Sequence, residues 1–84
     1  MTTSLANIAL TSADWTDVCA VYPSTANADV VVRYLSATGA RIVHGGPKPA
    51  TLNEGDALNP NGASYANTDH LWVTGVGAMS VTLI

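Results

Sequence analysis

The stretch "DHLWVTGVGAMSVTLI", residues 69–84, decides how this chain folds. Leu71 and Val73 alternate with Trp72 and Thr74, and Met79, Val81 and Leu83 alternate with Ser80, Thr82 and Ile84. A period of two belongs to strands with one buried face, and Gly75 and Gly77 between the halves argue against a helix. The stretch reads as two strands of a hairpin, with Leu71, Val73, Met79, Val81 and Leu83 on the core. Trp72 is then outside or shared with a neighbouring chain. The hairpin ends on apolar Ile84, which needs a cover.

Upstream, "ADVVVRYLSATG" (28–39) is a second strong strand, dense in β-branched residues, with Val30, Val32 and Tyr34 on one face. "ARIVHGG" (40–46) follows across Thr38-Gly39 and is expected to pair with it as a hairpin. The segment 45–62 is loop-rich, since Pro47 and Pro49 cannot donate to a central ladder. Within it Gly55 suits a tight turn of positive φ, and "NPNG" (59–62) fits a type I turn. "SADWTDVCAVYP" (12–23) supports two readings. Trp15, Val18, Cys19 and Tyr22 have helical spacing, with Ser12 as N-cap and Pro23 as stop. Thr16, Val18, Ala20 and Tyr22 also alternate as in a strand, which is the preferred reading because the neighbours are strands.

Length and composition narrow the function. Eighty-four residues make one domain, near the size where a lone core only just suffices. Hydrophobic residues are 48% and charged residues 11%, against roughly 25% charged in an ordinary soluble domain. So few charges leave a surface weakly protected against association. Three cations, Arg33, Arg41 and Lys48, against six acidic residues cannot form the basic stripe of a nucleic-acid binder or a polybasic membrane patch. No apolar run is long enough to span a bilayer, and "MTTSLANIAL" lacks the positive region of a secretory signal. A single cysteine, Cys19, permits no internal disulfide and fits synthesis in a reducing cytoplasm.

The chemistry-bearing residues lack the spacing of a catalytic site. His44 and His70 with Glu54, Asp56 or Asp69 would have to converge through the fold to bind a metal, and no HExxH-like pair exists. Solvated strand-end histidines are the simpler expectation, and no metal, cofactor or catalytic residue is assigned. Cys19 in an apolar run reads as a small buried hydrophobe rather than a nucleophile. "HGGPKP" lacks the spacing of a phosphate loop, and Pro47 removes an amide such a loop would use. Trp15, Trp72, Tyr22, Tyr34 and Tyr65 would form a sugar-stacking platform only if the core did not claim them.

Four stretches, "DWTDVCAVYP", "DVVVRYLSATGARIVHGG", "LNEGDAL" and "HLWVTGVGAMSVTLI", carry a resemblance to the small β-rich structural proteins, capsid decoration and minor head proteins, of tailed bacteriophages. The resemblance spans most of the chain and rests on pattern. It implies an all-β fold, a small β-sandwich or jelly-roll-like barrel of short antiparallel strands, that stabilises a phage shell in several identical copies. Its partners would be those copies, a trimer among the options, and the major capsid protein. Its location would be the virion surface after synthesis in the host cytoplasm. A tail or baseplate adaptor, or a carbohydrate-binding module of the particle, is the alternative. Within this scheme residues 1–10 are an N-terminal arm and residues 11–84 the single β domain. Leu5, Ile8, Leu10, Trp72 and Ile84 are the expected contacts with a neighbouring copy or the shell.

Overall fold

The computed structural model describes residues 3–84. Eight strands follow in order: β1 (Thr3–Leu10), β2 (Thr16–Asp17), β3 (Val30–Leu35), β4 (Ala40–His44), β5 (Asp56–Leu58), β6 (Ala63–Ala66), β7 (Leu71–Thr74) and β8 (Gly77–Leu83). They form two four-stranded sheets, β1-β8-β3-β6 and β2-β7-β4-β5, in which every pairing is antiparallel. The chain is thus a small all-β sandwich, and the all-β class is the one its alternating pattern implied. Val30, Val32, Tyr34, Met79 and Val81 of the first sheet are buried together with Ile42, Leu58, Leu71 and Val73 of the second. Trp15 is buried as well but stands apart from this cluster.

Both expected hairpins are absent. β3 lies in the first sheet and β4 in the second, so the chain crosses the sandwich at residues 36–39. It crosses back between β7 and β8. The two crossings lie at the same end of the molecule and are tied by one side chain. The buried Tyr34 hydroxyl donates to the Val76 carbonyl and lies 3.2 Å from the Thr38 hydroxyl. Gly75 packs so closely there that a Cβ would fall 2.8 Å from that of Ala40. A tight hairpin would leave two adjacent strands in one sheet. Here each pair of strands is instead apolar on faces that look at one another across the core, and burying both outweighs local pairing.

Three further expectations are corrected. Residues 3–10 are no free arm: they form β1, an edge strand with Thr3 opposite Leu83 and Leu10 opposite Gly77, so β8 supplies the partner missing nearby. Met1 and Thr2 of the expected arm lie outside the described residues. Segment 12–22 is neither a continuous strand nor a helix from Ser12. It holds the two residues of β2 and then one helical turn, α1 (Val18–Val21), whose N-cap is Asp17 and whose Val18 and Cys19 are buried. Pro23 then begins a 3-10 turn, Pro23–Thr25. The turn at 59–62 closes with the Gly62 amide on the Asn59 carbonyl, and Asn61 has φ +58°. Positive φ at the third position belongs to a type II turn, not type I.

Candidate interaction surfaces

The sheet edges differ in length. β2 has two residues, β5 three and β6 four, all too short to template much pairing. β1 has eight, "TSLANIAL", without a charge or a proline, and it pairs on one side only, with β8. Natural edges are blunted by brevity, charge, proline or a bulge. β1 carries only the last of these. Its register shifts between Leu5 and Ile8, and there the Tyr22 hydroxyl donates to the Ala6 carbonyl.

The outward faces differ too. The second sheet is roofed by the chain's own loop 45–55. The Trp72 indole N–H donates to the Gly46 carbonyl and that of Trp15 to the Thr51 carbonyl, each at 3.0 Å. Gly55, at φ +86°, lies so near β4 that a Cβ would sit 2.5 Å from the Ile42 carbonyl oxygen. Glu54 accepts the Thr51 amide at 2.8 Å, and Lys48 pairs with Asp14 at 2.7 Å, which holds the Asp14 carboxyl below its ordinary pKa. Among the described residues nothing comparable covers the first sheet. Its outward rows run Ser4, Thr82, Val31, Tyr65, then Ser80, Arg33, Ala63, then Ala9, Ala78, Leu35. Tyr65 is 75% exposed and Ile84 53%.

One polar cluster is built into the other sheet. Asp17 ends β2 with its side chain almost out of solvent. Its Oδ1 accepts the amides of Cys19 at 3.0 Å and Leu71 at 3.1 Å, and its Oδ2 accepts His70 Nδ1–H at 2.7 Å. That hydrogen bond raises the His70 pKa above its ordinary value, outweighing the opposing effect of partial desolvation. The imidazole stacks on Trp72, with ring centroids 5.7 Å apart. Together these contacts fasten β2 and α1 to β7 and hold the indole under the loop. They form a clasp. Cys19, close by, is buried with Sγ 3.7 Å from the Thr68 carbonyl, and burial pushes its thiol pKa up, away from the reactive thiolate.

The residues named as contacts separate into three groups. Ile8 is buried in the chain's own core, and Leu5 and Leu10, partly buried, pack against that core, so these three help hold β1 in place. Trp72 faces outward as its alternation required, but it is half-buried beneath loop 45–55. Ile84 remains exposed. The five aromatics do not share a surface: Trp15 and Tyr34 are buried, Tyr22 packs on the core and Tyr65 lies on the first sheet. His44 meets Ser64 at 3.3 Å, and among the described residues no three His, Cys, Asp or Glu side chains converge as metal ligands. No described helix is long and apolar enough to cross a membrane. The uncovered face was missed in the sequence because β6 was not recognised there, and Tyr65 and Ala63 belong to it. Comparison with protein-family models, with curated proteins and with solved structures finds no match.

Proposed function

We propose that this chain is a non-enzymatic structural protein of a virion, a capsid decoration or minor head protein that binds a phage shell in several copies. The observation that carries the reading is β1, an eight-residue uncharged strand left open along one edge of the first sheet. An open edge takes an added strand through main-chain hydrogen bonds, a mode suited to assembly. The scarcity of charge, 11% of the residues, supports the same reading, because little opposes contact with other protein surfaces. The resemblance to phage structural proteins supplies the particle.

The test is solution mass by light scattering, alone and after mixing with empty shells and re-isolating them. Recovery on shells at fixed stoichiometry, with shells more resistant to heat or osmotic shock, is the expected result. Ala9→Lys places a cation on the exposed side of β1 and should weaken recovery at least tenfold without altering the melting temperature. A stable monomer that ignores shells sinks the reading. The alternative, a carbohydrate-binding module or tail adaptor, is favoured by the stacked His70–Trp72 pair. It requires Trp72→Ala to abolish glycan binding while the fold survives.

A further inference from the structure

We propose that the outward face of the first sheet packs against the same face of a second copy, about a two-fold axis that lies in the interface and crosses β3 at Val31. The proposal rests on the reading of the chain as one that works in several copies, and it names the surface by which two copies meet.

The two outward faces of the sandwich are unlike. Loop 45–55 and two indole N–H groups cover the second sheet, and among the described residues nothing comparable lies on the first. The outward face carries small side chains, Ser4, Ala9, Ala63, Ala78, Ser80 and Thr82, with Val31 and Tyr65 along one row. Sheets of this kind pack face to face at about 10 Å separation.

Charge then selects the occupant. Outward positions along β3 and its approach read Asp29, Val31, Arg33, so an anion and a cation lie two residues either side of Val31. The Ile84 amide bonds the Asp29 carbonyl, which continues the β8 ladder and sets Asp29 in the row beyond Val31. A two-fold axis across Val31 reverses β3 onto itself. Arg33 of each copy then meets Asp29 of the other, and Tyr65 meets its own mate. The two charges are about 13 Å apart along the strand, so the usual sheet crossing of about 30° displaces each pair sideways by only about 3 Å. An arginine reaches that far. Within its own chain Arg33 uses Nη1 on the Asn61 carbonyl, and Asp29 accepts one bond from Asn67. Each retains capacity for the partner, since a guanidinium has five donors and a carboxylate about four acceptor sites. The face is therefore complementary to itself, which a surface made for a different protein need not be. Charged pairs of this kind fix register.

Light scattering over a range of concentrations tests this with Arg33→Asp, Asp29→Arg and the double reversal, with circular dichroism and melting temperature confirming the fold. Wild type should dimerise. Each single reversal sets like charges together and should raise the dimer dissociation constant at least tenfold, and the double reversal should restore it. Tyr65→Ala, which removes an exposed ring, should weaken the dimer without unfolding the chain. A dimer indifferent to the single reversals and to Tyr65→Ala overturns the proposal and moves the contact elsewhere, while shell binding could still stand. A wild-type monomer that loads onto shells also overturns it and leaves the virion reading intact. A monomer that ignores shells overturns both.

Discussion

The carboxylate of Asp17 takes three hydrogen bonds, from the amides of Cys19 and Leu71 and from the ring of His70. Asp17→Ala uncaps α1 and orphans a buried amide of β7, and should cost about 2–4 kcal/mol in urea denaturation. Asp17→Asn keeps an oxygen for the amides and should lose less. His70 makes the same clasp sensitive to pH. Its folded-state pKa is raised by Asp17, so its contribution is complete below the ordinary value of 6.5 and is lost as pH rises through the raised one. The melting temperature should therefore fall as pH climbs through a window above 6.5, by a small step because the ring is half exposed. His70→Asn should abolish that step. An identical pH profile in the variant would assign the step to another group.

At the scale of the strand, alternation located Val30, Val32, Tyr34, Leu71, Val73, Met79 and Val81 on the core, and all are buried. Pairing was not legible. A strand's period reveals which side is dry and is silent about which neighbour it joins, so two inter-sheet crossings read as hairpins. β1 was hidden for a different reason. Leu5 and Ile8 are three residues apart, out of phase for a regular strand, and only the bulge between them lets both face inward. Segment 12–22 resisted a single reading because strand and helix each occupy part of it. The clasp could not be foreseen either, since Asp17 and His70 meet from positions far apart in sequence, whereas the outward side of Trp72 followed from alternation. The crossings themselves give a prediction. Tyr34→Phe leaves the Val76 carbonyl without its hydroxyl donor at a site that ties both corners, and should cost about 1–3 kcal/mol. A loss below about 0.5 kcal/mol would mean that packing alone holds the corners.

Across the whole molecule, the sandwich has one face that the chain roofs itself and one that no described residue roofs, and one long edge beside three short ones. The open edge and the bare face belong to the same sheet, so an assembly can use both at once, a second copy on the face and a foreign strand along the edge. The same sheet also joins the two ends of the fold, because β1 pairs with β8 and β8 pairs with β3. Until β8 is present, β1 lacks its strand partner and β3 has only the short β6. A chain ending at residue 76 should therefore show no cooperative melting transition, and a native-like transition in that fragment would contradict this. On a ribosome the consequence concerns timing. The second sheet has all its strands by Thr74, but the first is incomplete without β8, and the first apolar strand must wait for the last before it is paired. Completion of the fold, and with it competence to assemble, thus waits until β8 has emerged.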